Sequence, residues 1–506
     1  MDRERINLKK TKWLPLVASV FLLTPVTAEA GSFGKDDPSG VPGQWYIGTS
    51  PSAEDPAKHP VLFVHGLNSS SNTWWNNNNM YDTAYVNGYE TAFIDLYPTK
   101  NMWDNGALLA QKVRDMYHHF GEKVVVVAHS KGGIDTQSAI VHNGASPYIA
   151  RVITLSTPHY GSQLADLAYS NGASWLASII GSKNDATYSL QTGYMSYYRS
   201  QTDNRPERSS VPFYTFGGTS WGGFGGSLYW GGLYLSSYGQ NDGAVTVTSS
   251  RLPYATELRV GKWDHGNIKT GTSTFNLFKS YLNEQVFAAS LKVASVASLP
   301  QEELLQATTY IAGGERNKVS KETIVVEEGV SELTIDWMSN QSDSTLTLIS
   351  PSGTKTNPFK ANVDETEIFE GAYHYTTTLT LPESGEWKVE TKGDQKEAYL
   401  LHTQFTSDLN ELVTIDLTNR KVAVKSKDTK LKYKTTVHAN VYEDGKLKQK
   451  KVNFKVNQDG TYSVPALGSG VYNVTIELDG KYNGTEFKRS VVKSFYVDNT
   501  GVVYLD

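Results

Sequence analysis

The sequence contains no cysteine, so neither a disulfide framework nor a cysteine nucleophile is available to it. Stability must come from packed cores, with or without bound ions. Excess basic charge is missing too: 47 Lys and Arg against 52 Asp and Glu leave a net charge of -5, which excludes the broad positive field that a general nucleic-acid binder requires. There is no glycine-rich dinucleotide or phosphate loop, no zinc-like spacing of His and Asp, no internal repeat and no low-complexity tract. Nor is there an apolar run of the roughly 20 residues that a spanning helix needs. The nearest, "WLPLVASVFLL", stands between the basic "MDRERINLKKTK" and "TPVTAEA", which is the order of a secretory signal. Residues 1–30 are expected to be that signal, cleaved after Ala30, giving a secreted, extracellular protein without a transmembrane segment.

What is present is a folded chain of 506 residues, 39% hydrophobic and 20% charged, long enough for two to four domains. Between Pro60 and Leu282, short β-branched runs such as "VLFVHG", "KVVVVAHS" and "ARVITLSTPH" alternate with helix-period stretches such as "NGALLAQKVRDMYHHF". That alternation predicts a mostly parallel sheet covered by helices on both faces, in an α/β domain over 31–282. Residues 283–322, rich in Ala, Ser, Glu and Gln, read as a linker. Beyond them, apolar and polar residues alternate between turn signals, as in "SELTIDWMSN" and "GEWKVETKG". The pattern predicts half-buried antiparallel strands in two sandwich-like all-β domains, 323–408 and 409–506, the second immunoglobulin-like.

The residues just beyond the carboxyl ends of parallel strands are where such sheets bind ligands. There, "VVVVAHSKGG" ends a buried strand in one serine, Ser130, framed by Ala128 and Gly132. A bland reading is a strand followed by a glycine-rich turn. The chemical reading is a nucleophile elbow, a strained corner where bulky neighbours would clash with the flanking strand and helix.

The pieces "VLFVHGLNS", "AHSKGG", "LSTPHYGS", "QNDGAV" and "DHGNI", in that order over about half the chain, resemble the secreted bacterial lipases and esterases of the α/β-hydrolase superfamily, in the branch whose elbow reads Ala-x-Ser-x-Gly. The resemblance implies an α/β-hydrolase fold with Ser130 as nucleophile, His265 as its base and Asp242 as the acid that orients the base. It also implies an oxyanion hole made by the backbone amides of Leu67 and Lys131. Asp264 is a poor rival acid, because neighbouring side chains on a strand project to opposite faces. Asp203 lies before the strand that should precede the acid and is kept as an alternative. His159, in the Thr-Pro-His segment, braces the site in this family without acting as base.

Two aromatic segments, "YSLQTGYMSYYRS" and "GGTSWGGFGGSLYWGGLYLSSYG", lie where the family inserts lids and acyl-pocket walls; the alternative is that their rings pack inward. No cofactor is needed for the chemistry. The metal question stays open: related lipases hold a structural calcium with an aspartate two residues after the catalytic histidine, where this chain has Asn267. The expected activity is that of a serine carboxylic-ester hydrolase, first a triacylglycerol lipase or esterase. The alternatives are an extracellular polyester (poly-hydroxyalkanoate) depolymerase and, in another class, a binding protein with a vestigial hydrolase domain whose β-domains grip a surface or polymer.

Overall fold

The valine run forms a strand at the centre of a seven-stranded sheet in the order β1-β3-β2-β4-β5-β6-β7. The strands are β1 (Trp45–Ile47), β2 (Val61–Val64), β3 (Thr91–Ile94), β4 (Val124–His129), β5 (Ile149–Leu155), β6 (Phe213–Gly218) and β7 (Thr256–Gly261). All neighbours pair in parallel except β1, which joins β3 antiparallel at the edge. The computed structural model describes residues 40–52, 55–284, 305–393, 395–418, 421–465 and 467–505, so the expected signal over 1–30 lies outside the described residues.

Continuous apolar character in these strands follows from covering both faces. Val124, Val126 and Ala128 pack into one core with Leu62, Val64, Ala92 and Ile94. Val125 and Val127 face the other way and join Val61, Phe63, Phe93 and Ile153. Helices α1 (Met80–Val86), α2 (Met102–Phe120) and α3 (Gly132–His142) follow β2, β3 and β4. The side chain of Asn101 caps α2 by accepting from the amides of Trp103 and Asp104, and Gly121 ends it at φ 74°, where a Cβ would be disfavoured. Helix α3 is buried from Gly132 to Val141, which fixes the elbow it continues.

The C-terminal half consists of four antiparallel sheets that pair into two sandwiches. One core gathers Ile324, Leu333, Ile335, Trp337, Leu348, Trp387 and Leu401. The other gathers Val413, Ile415, Val422, Val437, Val441, Val474, Ile476 and Phe495. The passage between them is the short helical turn Leu409–Leu412.

Two expectations need correction. The stretch 283–322 is not a linker throughout: Leu305–Gln306 pairs with the strand Val413–Thr418 of the second sandwich, and Thr309–Arg316 and Val319–Val326 are strands of the first. Their alternation of Tyr, Ile and Val with polar residues was masked by the neighbouring Ala- and Gln-rich composition. Nor are all strands of the first sandwich half-buried: Glu332–Ser339 and Glu397–Thr406 are buried on both faces. In Glu332–Ser339, Leu333, Ile335 and Trp337 enter the sandwich core, while Met338 on the opposite face joins the core of the α/β unit. In Glu397–Thr406, Ala398 and Leu400 do the same. The sheet is covered twice, once by its partner sheet and once by the α/β unit.

The two aromatic segments form the other side of that contact. Tyr197 stacks on Tyr496 at 4.5 Å, Tyr234 meets His402 edge-on, and the Tyr238 hydroxyl donates to the carbonyl of Val492. Gly193 lies so close to the backbone of Phe495 that a Cβ would overlap it. These rings neither pack only within their own unit nor stand open as a lid; they seat the C-terminal half.

Candidate active site

Ser130 directly follows β4 at φ 51°, a left-handed conformation that costs a non-glycine residue about 1–2 kcal/mol. The corner is tight on every side. A Cβ on Gly66 would come within 2.7 Å of the Ser130 Cβ, and one on Gly132 would overlap the carbonyl of His65. The Ser130 amide donates to the carbonyl of Leu155 at 3.0 Å, tying the corner to β5. Helix α3 starts two residues later, with its positive end towards the serine.

The loops on both sides of the serine are pinned by buried polar groups. His65 donates from Nδ1 to the carbonyl of Gly66 at 2.8 Å, and its Nε2 accepts from the amide of Leu96 at 2.9 Å. Burial holds its pKa down to about 4, so the ring is neutral and this pattern is self-consistent. The Lys131 ammonium, also buried, reaches both carboxylate oxygens of Asp135 at 2.6 and 2.9 Å, and Asn105 donates to that carboxylate from the other side. The amides of Leu67 and Lys131 themselves donate to no other group among the described residues.

Asp242 follows β6 and is fully buried. One of its oxygens accepts from the amides of Ala244 and Val245 at 3.0 and 2.8 Å; the other accepts from His265 Nδ1 at 2.8 Å. The His265 amide donates to the Asp242 carbonyl at 3.0 Å, so backbone and side chain fix the ring together. That leaves His265 Nε2 aimed away from Asp242.

It is aimed at a residue from the other half of the chain. Glu367, in the loop before the strand Tyr373–Thr380, places one oxygen 2.9 Å from Ser130 Oγ, which donates to it, and 3.5 Å from His265 Nε2. Ser130 and His265 make no direct hydrogen bond. The second Glu367 oxygen lies 3.8 Å from His129 Nδ1, and Asn68 Nδ2 donates to the Glu367 carbonyl at 2.8 Å. Glu367 is itself left-handed, at φ 65°.

The charges respond to this arrangement. Burial works against a charged His265, but Asp242 and then Glu367 outweigh it and raise its pKa to about 10. Burial likewise opposes a charged Glu367, yet the His265 imidazolium, Lys269 and the Ser130 hydroxyl bring its pKa below the usual carboxylate value. Burial, and after it the positive charges of Lys269 and His265, push the pKa of His129 well below the ordinary value.

The rival residues lie elsewhere. Asp203 pairs with Arg199 at 3.0 Å and accepts from the Tyr254 hydroxyl. Asp264 accepts from the backbone and side-chain nitrogens of Asn267, so the Asn267 side chain, expected at a calcium position, is engaged with its own turn. His159 is buried and makes no hydrogen bond to Ser130, Asp242 or His265.

A crystal structure of the Bacillus licheniformis lipase BlEst2 in its propeptide form is 42% identical to this chain, with a TM-score of 0.81, covering 92% of this chain and 100% of its own. The chain belongs to the bacterial lipase and esterase family of the α/β-hydrolases. The same Bacillus lipase in its mature form is 56% identical, with a TM-score of 0.47, over 48% of this chain and 100% of its own. Triacylglycerol lipase 2 of Saccharomyces cerevisiae is 32% identical over 136 residues, 25% of this chain, and the chain spans 40% of that relative's length. No family model matches the sequence.

In this lipase-type hydrolase, Ser130, Asp242 and His265 thus converge from three loops. Sequence reasoning missed Glu367 and His129. The available signal for Glu367 was slight: an acidic residue beside the apolar pair Ile368-Phe369, in a turn where exposed polar residues are the norm.

Proposed function

We propose that the chain is the latent form of a secreted serine carboxylic-ester hydrolase whose C-terminal half carries its own inhibitor. The observation that carries this is the single Glu367 oxygen shared between Ser130 Oγ and His265 Nε2. A carboxylate stands where the reacting carboxyl group of an ester would stand, and it prevents the serine from passing its proton to the histidine.

With Glu367 withdrawn, His265 accepts the Ser130 proton as Oγ attacks the acyl carbon. The resulting imidazolium is stabilised by Asp242, and the developing oxyanion by the amides of Leu67 and Lys131. The alcohol leaves with the proton from His265, and water, activated by the same imidazole, releases the acid.

Support for latency comes from the BlEst2 propeptide form, whose 92% coverage takes in most of both sandwiches. Acylglycerols are the proposed substrates, in keeping with the name of the yeast relative. Export is supported by the order of basic, apolar and Ala-x-Ala segments over residues 1–30.

The test is fluorophosphonate labelling and turnover of a panel from p-nitrophenyl esters to triglycerides and poly-hydroxyalkanoate granules. The Glu367→Ala chain is expected to label and turn over faster than wild type, and Ser130→Ala to do neither. Activity on granules alone would replace the lipase reading with a depolymerase. Absence of labelling in both wild type and Glu367→Ala would favour a binding protein.

A further inference from the structure

The carboxylate that closes the site also brings together three ligand atoms. His129 Nδ1, His265 Nε2 and a Glu367 oxygen all lie within 4.8 Å of one another, and no other such group of His, Asp and Glu occurs among the described residues. We infer that His129, His265 and Glu367 form a composite site for one divalent transition-metal ion of the zinc class, present only while the C-terminal half is docked, and that the ion clamps the latent chain shut.

Each ring is already oriented as a ligand. His129 donates from Nε2 to the carbonyl of His265 at 2.7 Å, which leaves Nδ1 with the lone pair that faces Glu367. His265 donates from Nδ1 to Asp242 at 2.8 Å, which aims Nε2 at the same carboxylate. Metal-binding histidines are held in this way, with the second nitrogen on a carboxylate or backbone carbonyl. His265 Nε2 is buried and has no hydrogen-bond partner, the 3.5 Å approach to Glu367 being long for one. Both imidazoles are almost completely buried, so the donors are fixed before any ion arrives.

Two imidazoles and one carboxylate select the metal. Calcium and magnesium take oxygen ligands, whereas zinc and its neighbours bind His2Glu sets at about 2.0–2.2 Å. Donors at those bond lengths stand about 3.3–3.6 Å apart in a tetrahedron, so atoms now within 4.8 Å of one another close by up to about 1 Å around such an ion, through rotation of the Glu367 side chain and a small shift of the two rings. The Ser130 hydroxyl, bonded to the same carboxylate, stands in reach as a fourth ligand. Lys269 faces Glu367 as well and lowers the affinity that these donors would otherwise give. The ion takes the place of the proton on His265 Nε2. Two ligands come from the α/β unit and one from the C-terminal half, so binding is coupled to docking.

This rests on the closed arrangement of the proposed latent form, but its readout is metal binding. Full-length protein would be titrated with zinc chloride against a chromogenic chelator, with thermal unfolding and X-ray absorption on the same samples. One equivalent is expected to bind through two imidazole nitrogens and oxygen, and to raise the melting temperature. Glu367→Gln and His129→Asn, each shown by circular dichroism to be folded, should weaken binding by at least about tenfold. No binding in the wild type, or the same affinity in folded Glu367→Gln, overturns the inference. Unchanged affinity in Glu367→Gln with raised esterase activity would reject the metal site and keep latency. Carboxylate-dependent binding with unchanged activity would do the reverse.

Discussion

The Trp230 indole lies against the His374 imidazole, ring centres 4.9 Å apart and planes 28° from parallel, one ring from the α/β unit and the other from the first sandwich. His374 is held on both edges, by Asp336 at 2.9 Å and Asp364 at 3.0 Å. Asp364 also accepts from Trp230 Nε1 and from the amide and hydroxyl of Thr366. Since Thr366 precedes Glu367, the stack anchors the loop that enters the active site.

Burial opposes a charged His374, but Asp336 and Asp364 outweigh it and raise its pKa to about 9; His402, the other titratable ring nearby, stays low at about 4 through burial. A pKa raised on folding gives stability that is complete below the unfolded value of about 6.5 and lost as pH rises through the folded one. Wild type should therefore melt well above His374→Asn at pH 6, and the gap should shrink between pH 6.5 and above 9. Scanning calorimetry across that range checks it; a pH-independent gap would mean that the charge contributes nothing.

Glu367→Gly removes the carboxylate and also the strain of a left-handed non-glycine residue, worth about 1–2 kcal/mol. It should raise p-nitrophenyl ester turnover by the full-length chain at least as much as Glu367→Ala, without lowering the melting temperature as far. Initial rates and melting curves on the two variants decide this.

Gly193→Ala places a methyl group against the backbone of Phe495, away from Ser130. Overpacking of this kind costs about 1–3 kcal/mol, here charged to docking of the second sandwich. The expected result is faster fluorophosphonate labelling of the full-length chain with the triad untouched. Slower labelling would show that docking supports the site more than it blocks it.

In Asp242→Asn the remaining oxygen stays with the Ala244 and Val245 amides and an NH2 donor faces His265 Nδ1, which selects the wrong tautomer; the precedent for such a change is a loss of about 10⁴-fold in turnover. It is best measured in the Glu367→Ala chain, where the site is open. Asp203→Asn, which breaks a pair with Arg199 remote from His265, should retain activity and lower the melting temperature modestly. A comparable loss in Asp203→Asn would reassign the acid.

Much of the α/β unit was legible because its signals are local. The valines of β4 had to be buried on both faces, and Ser130 between Ala128 and Gly132 had to turn sharply. The order of Ser130, Asp242 and His265 along the chain was legible only through the resemblance to the α/β-hydrolases. The second sandwich followed from period-two alternation alone.

The relation between the halves was not legible. Met338 and Leu400 are apolar on the strand face where alternation predicts polar residues, and an alternating strand does not disclose what will cover its second face. Tyr197 and Trp230 read equally well as lid, pocket wall or core, since an aromatic ring is apolar area until a partner is known.

By itself, the sequence determined the local backbone: which runs become buried strands, where a small-residue corner carries a serine, and which residues can donate or accept a proton. Only the tertiary structure decided that the corner is closed. Glu367 is separated from Ser130 by 237 positions, and no periodicity or spacing reaches that far. Their meeting depends on the core that the two halves share, where Met338 and Leu400 pack with Leu164 and Trp230 and so hold the left-handed Glu367 over the serine.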